Sequence, residues 1–317
     1  MTSVATVTSP SGATRHVALL IETSNAYGRG LLVGIKNYLV ANPGWSIYLG
    51  EHGRHETDLS WLDSWRGHGV IARIENEQTA EHVRQLGLPA IDLSAAGLVP
   101  ELSTVETDDD VIARWAMEHF AVRGIRNFAY CGDSRFAWSV KRGSRFVEHV
   151  LGLGIDVHEF RMEPSGKLAD DRLAIADWLS SLPKPVGVLA CYDIAGQELL
   201  EACKIAGLHV PDSVAVIGVD NDELMCNLTS PPLSSIQTDA VGTGFLAASL
   251  LDQMMSGVSL PPELRLVEPL RVVTRQSSDL LFVSDPIVAK ALQLIRAKAD
   301  EGIAVATVQS AGGLSRR

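Results

Sequence analysis

The sequence predicts an α/β fold of two doubly wound, parallel-sheet lobes. Three observations carry this. Short apolar runs alternate with amphipathic helical stretches from residue 16 to about residue 273. Several of the runs are continuous Val, Ile, Leu and Ala, the pattern of parallel strands covered on both faces. About nine or ten such runs divide more naturally between two sheets than within one.

The strand runs fall at 16–21, 45–50, 69–74, 90–93, 103–107, 127–131, 187–191, 215–219 and 264–273. Helical stripes of period 3.6 lie between them: Leu31, Ile35, Tyr38 and Leu39; Ile112, Trp115, Ala116 and Phe120; Leu199, Leu200 and Cys203. Gly124 and Gly207 stand just past such stripes, where a left-handed residue stops a helix. Strand–helix–strand alternation implies right-handed βαβ units. After Ser278 this rhythm ends. Ser284-Asp285-Pro286 reads as a cap followed by Pro at the first helical position, and Ile287, Ala291, Leu294 and Ile295 form the next stripe. A short helix over about 305–311 follows.

The chain has 317 residues, 46% hydrophobic and 21% charged, which suits a globular protein with a sizeable core. No apolar run reaches the roughly 20 residues of a membrane span. Residues 1–14 are a disordered tail in this reading, without a charged and then apolar leader, so a cytoplasmic location is expected. A net charge of −11 is a poor match for a body that grips phosphate backbone. Cys131, Cys191, Cys203 and Cys226 show no paired spacing and read as buried reduced thiols.

Catalytic motifs are missing from the sequence. No Walker loop, HExxH or GxSxG occurs, and Gly152-Leu153-Gly154 lacks the third glycine of a dinucleotide loop. His52, His55 and Glu56 lie in a polar loop and read as solvated. Asp108, Asp109 and Asp110 precede a helical stripe, so at least one is expected to cap it. No catalytic residue, metal or cofactor is assigned.

Ligands of open α/β sheets bind outside the carboxyl ends of strands. The loops there carry Glu22 through Arg29, then Arg73, Glu75 and Asn76, then Phe136, Trp138 and Arg142. Tyr192 and Asp193 follow a later strand, and Asp220, Asn221 and Asp222 another. Carboxylates, amides, guanidinium groups and aromatic rings are the chemistry of sugar recognition: planar bidentate groups meet vicinal hydroxyls and rings cover C–H faces.

The segment Val216-Ile217-Gly218-Val219-Asp220-Asn221-Asp222, with Pro231-Pro232-Leu233-Ser234-Ser235-Ile236 after it, resembles the lactose-repressor family. Four further stretches are similar to the xylose-operon regulators within it: Leu19-Leu20-Ile21 through Arg29, Trp61-Leu62 with Gly69-Val70-Ile71-Ala72, and Arg271-Val272-Val273 through Asp279. Residues 303–317 look like the opening of an arabinose-regulator type of helix-turn-helix domain.

The resemblance implies a periplasmic-binding-protein-like sensor of type I. Lobe one would be 15–122 plus 239–268, and lobe two 123–238 plus 269–283. Crossings near 122–125, 236–240 and 268–271 would join them, and 284–317 would be the start of a DNA-binding domain. A monosaccharide, D-xylose or a related pentose, would be the effector. Its expected contacts are Ser24, Arg29, Arg73, Phe136, Arg142, Asp193, Asp220 and Asn221. Glu22 stands where an amide, and Arg73 where an acidic residue, is expected in the xylose regulators. A homodimer is expected, with operator DNA bound only through a complete helix-turn-helix domain. A transport-type sugar-binding protein is the rival reading.

Overall fold

The computed structural model describes residues 14–50, 59–280, 287, 288, 291, 294, 295 and 302–311. Two parallel sheets of six strands each form the two lobes.

The first lobe contains β1 (Arg15–Leu20), α1 (Ala26–Ala41), β2 (Trp45–Leu49), β3 (Gly69–Ala72), α2 (Glu77–Leu86), β4 (Ala90–Asp92) and β5 (Ser103–Thr107). The second contains α3 (Asp109–Val122), β6 (Asn127–Asp133), α4 (Ala137–Leu151), β7 (Val157–Met162), α5 (Leu168–Ser181), β8 (Val186–Ala190), α6 (Asp193–Ile205), β9 (Val214–Val219), α7 (Glu223–Leu228) and β10 (Ser234–Gln237). The chain then returns to the first lobe with α8 (Ala240–Met255) and β11 (Leu264–Val267), and to the second with β12 (Arg271–Val273). A short helix, α9 (Val305–Ala311), lies beyond.

The sheet orders are β11-β5-β4-β3-β1-β2 and β12-β10-β9-β8-β6-β7. All pairings are parallel except β10 with β12. Alternation along β1 sends Val17 and Leu19 to one apolar layer with α1 and α8, and Ala18 and Leu20 to another with Val70 and Val83. Every residue of β8 and β9 is buried, as the continuous apolar runs require. Helices α1 and α8 approach until side chains no longer fit between them. A Cβ on Gly34 would stand 2.0 Å from the Val241 carbonyl oxygen, and one on Gly244 2.1 Å from that of Leu31.

Three crossings connect the lobes: β5 to α3, β10 to α8, and β11 to β12. The first lies at 107–109 rather than at 122–125. Ile112, Ala113, Ala116 and Phe120 of α3 belong to the second lobe's core, where the Phe120 ring fills the space beside Gly187. The run 264–273 is two strands, not one, because Glu268-Pro269-Leu270 carries the chain from one sheet to the other. The strand β7 was not expected from its sequence: it is an edge strand whose His158, Glu159 and Arg161 break any apolar run. The N-terminal tail, the His52–Glu56 loop and most of 284–301 lie outside the described residues. No described helix is long and apolar enough to cross a membrane.

Candidate functional site

The carboxyl ends of the strands of both lobes face one cleft. Lobe one contributes Tyr27 from α1, Arg73 after β3, Leu93, Ser94 and Ala95 after β4, and Glu106 and Thr107 from β5. Lobe two contributes Asp109 at the start of α3, Trp138 and Arg142 from α4, and Asp220 after β9.

Two guanidinium groups organise the walls. Arg142 is 5% exposed. It donates from Nε to Asp109 Oδ1 at 2.7 Å and from Nη1 to the Cys191 carbonyl. Burial opposes its charge, but Asp109 and Asp220 outweigh that and hold its pKa above the usual value. Across the cleft, Arg73 donates to the carboxylates of both Glu22 and Glu75. Here too burial works against the cation, and the two glutamates raise its pKa in spite of it. Arg73 Nε is buried with no acceptor among the described residues. The Arg73 guanidinium lies 5.4 Å from the centre of the Tyr27 ring, and that of Arg142 lies 5.4 Å from the Trp138 ring. Both geometries suit cation–π attraction. Lys141, beside Arg142 on α4, reaches across to Glu106.

Asp220 sits in a strained turn. Its φ is 102° and that of Asn221 is 53°, the left-handed region that non-glycine residues rarely adopt. Neighbours hold it there. Asp193 Oδ2 accepts the Asp222 N–H at 2.7 Å, and its Oδ1 accepts the Ser235 hydroxyl at 2.6 Å. The Asn221 N–H donates to the same Ser235 oxygen, and Asn221 Oδ1 accepts from Arg275 Nη2 at 2.8 Å. Gly218 admits the arrangement, since a Cβ there would lie 2.3 Å from Asp193 Oδ1. Burial, with Asp220 close by, pushes the Asp193 carboxyl up to about 8.

This construction has counterparts among known proteins. Residues 16–109 match the XylR N-terminal domain, and residues 117–278 match the periplasmic binding protein-like domain. The xylose operon regulatory protein of Escherichia coli (strain K12) is 31% identical over 315 residues, covering 95% of this chain and 79% of that protein. The chain belongs to this regulator family. The Haemophilus influenzae xylose operon regulatory protein is 28% identical over 308 residues, covering 92% of this chain and 78% of its own length. A solved structure described as the xylose-binding transcription activator xylR superposes with a TM-score of 0.81 at 29% identity, covering 96% of this chain and 80% of that one. A regulator from Alkaliphilus metalliredigens QYMF complexed with D-xylulofuranose shares the fold, at a TM-score of 0.69 and 19% identity, over 83% of this chain and 99% of its own.

Of the expected sugar contacts, Arg73, Arg142 and Asp220 line the cleft, as do Tyr27 and Trp138 from the strand-end loops. Phe136 stands behind it, with its ring stacked 5.2 Å from that of Trp138. Asp193 and Asn221 are buried and bonded within the Asp220 turn rather than among the lining residues. Ser24 is exposed, and its carbonyl accepts from Arg29, whose guanidinium also lies 3.7 Å from Asp222 of the other lobe. Of the Asp108–Asp110 run, Asp108 caps α3 while Asp109 faces the cleft. Sequence reading left out Leu93 to Ala95, Glu106 and Thr107. All five stand at or just past the ends of β4 and β5, positions open to the rule that found the others. Among the described residues no group of three metal-ligating side chains gathers.

Proposed function

We propose that this chain is the effector-sensing part of a sugar-responsive transcription regulator, binding a pentose such as D-xylose between its lobes. The observation that carries the reading is the cleft itself, lined from both lobes by carboxylates, guanidinium groups and aromatic rings. Asp109, Asp220 and Arg142 would hold hydroxyls from one side and Arg73 and Ser94 from the other, with Trp138 and Tyr27 against C–H faces. Phe136, Asp193 and Asn221 would support these contacts from behind.

A sugar touching both walls has higher affinity for the closed arrangement and so shifts the population toward it. Closure would turn the two lobes of one copy relative to a second copy in a homodimer, and relative to DNA-binding elements attached to them. The role is that of a cytoplasmic binder that releases its sugar unchanged. It rests on the family relationship and on a cleft built of hydrogen-bonding pairs.

A thermal-shift screen across pentoses and hexoses tests the reading. A ligand of the folded state at about 100 times its Kd adds about 2.7 kcal/mol of stability. A D-xylose-sized sugar should raise the melting temperature and be recovered intact. If no monosaccharide moves the melting curve, the sensing role is wrong.

A further inference from the structure

Arg73 occupies an unusual electrostatic position for a cation in a ligand cleft. Its guanidinium is 6% exposed and engages two carboxylates, Glu22 and Glu75, so its charge is more than neutralised before any ligand arrives. Glu22 is itself fixed: Asn25 caps α1 through Oδ1 and donates from Nδ2 to Glu22 Oε1 at 2.9 Å. The other cations are also engaged, Arg142 by Asp109 and Lys141 by Glu106. Among the described lining residues and their ion-pair partners, three cations therefore face five carboxylates. Arg73 still offers its Nε–H, which can only donate and has no acceptor among the described residues.

We infer that Glu22 is a specificity-determining residue, converting Arg73 from an anion clamp into a donor for a neutral oxygen, so that the cleft admits uncharged sugars and rejects their phosphates and acids. This rests on the sugar-sensing reading above. A phosphate or carboxylate entering here meets Arg73 already paired and an excess of like charge, whereas a hydroxyl or ring oxygen accepts from Nε at no Coulombic penalty. Glu22 acts through Arg73, so changing it should alter charge preference rather than sugar size preference.

Isothermal titration of the full chain with D-xylose, D-xylonate and D-xylose 5-phosphate tests this. The wild type should bind D-xylose and neither anion. Glu22→Gln leaves Arg73 with one carboxylate and should move the ratio of anion to neutral affinity by about ten-fold or more toward the anion. Glu75→Gln, at the more exposed of the two carboxylates, should move it the same way and serves if Glu22→Gln does not fold. Wild-type binding of either anion as tightly as of D-xylose overturns the inference, as does an unchanged ratio in a folded variant. Failure of the wild type to bind any sugar, neutral or charged, overturns the sensing reading and the inference together.

Discussion

The Asp193 carboxyl group receives the backbone N–H of Asp222 at 2.7 Å, and through it α6 holds the turn that points Asp220 into the cleft. A left-handed aspartate and asparagine in succession persist only where surroundings over-determine them. Asp193→Ala would strand the Asp222 N–H and the Ser235 hydroxyl, at a cost of about 1–3 kcal/mol each. The expected result is a lower urea midpoint together with weakened sugar binding in calorimetry. Unchanged affinity in the folded variant would show that the turn does not depend on Asp193.

Arg142→Ala should harm the fold as well as the site. Removing one partner of a buried pair leaves the other charge uncompensated, at about 3–5 kcal/mol. Asp109 is the partner left behind, 3% exposed. Arg142→Met combined with Asp109→Asn should recover much of that stability while sugar binding stays lost. Equal stability of wild type and Arg142→Ala in urea would contradict the pairing.

Arg29→Ala is expected to do little. Its guanidinium is half exposed and 3.7 Å from Asp222, and surface pairs of this kind contribute about 0–1 kcal/mol. Stability within about 0.5 kcal/mol of wild type is expected, with sugar affinity altered no more than about two-fold. A loss of affinity of about ten-fold or more would mean that Arg29 contacts the effector directly.

Asp92 should make stability fall as pH rises. Its Oδ1 accepts the N–H groups of Ile74 and Ser94, while its Oδ2 lies 3.1 Å from the Ser94 hydroxyl, whose own proton reaches the Ile74 carbonyl at 2.8 Å. A protonated Asp92 satisfies all of these groups, and burial pushes its carboxyl up to about 7. An unfolded aspartate titrates near 3.9, so between about pH 4 and 7 the folded state holds more protons and loses stability as pH increases. Asp92→Asn, whose amide can donate to Ser94, should gain about 1–3 kcal/mol at pH 8, a gain that shrinks toward pH 4. A pH-independent difference in urea midpoints would rule this out.

Gly34→Ala tests the close approach of α1 and α8. The added methyl would meet the Val241 carbonyl and the α8 backbone around Gly244, which cannot yield as a flexible side chain would. Overpacking of this kind costs about 1–3 kcal/mol. A variant as stable as wild type would mean that the helices part easily.

Much of the fold was legible because it rests on local pattern. The buried strands β6, β8 and β9 announce themselves as continuous apolar runs, and Gly124 and Gly207 do adopt the positive φ of helix stops. The boundary between lobes was less legible. The stripe of Ile112, Ala116 and Phe120 shows that α3 buries a face but not against which sheet, and only the meeting of Phe120 with Gly187 settles it. In the site, proximity to strand ends brought Arg73, Arg142 and Asp220 to notice. It could not separate a carboxylate that faces the cleft from one that holds a neighbouring turn, because Asp193 and Asp220 stand at equivalent strand ends.

The interleaving of the lobes bears on synthesis at the ribosome. Domains generally fold as units, the N-terminal one first as it emerges. Here the first sheet lacks β11 and the α8 cover for α1 until about residue 267 has been made. The second lacks β12 until residue 273, and Ser277, whose hydroxyl donates to the Val216 carbonyl of β9, comes later still. The first lobe cannot close its core until α8 and β11 follow the second lobe's central strands, whereas the fully buried apolar residues of the second core all precede residue 237. The nascent chain must therefore carry the first apolar sheet unfinished while the second lobe's core is made, and it adds the edge strands β11 and β12 almost together.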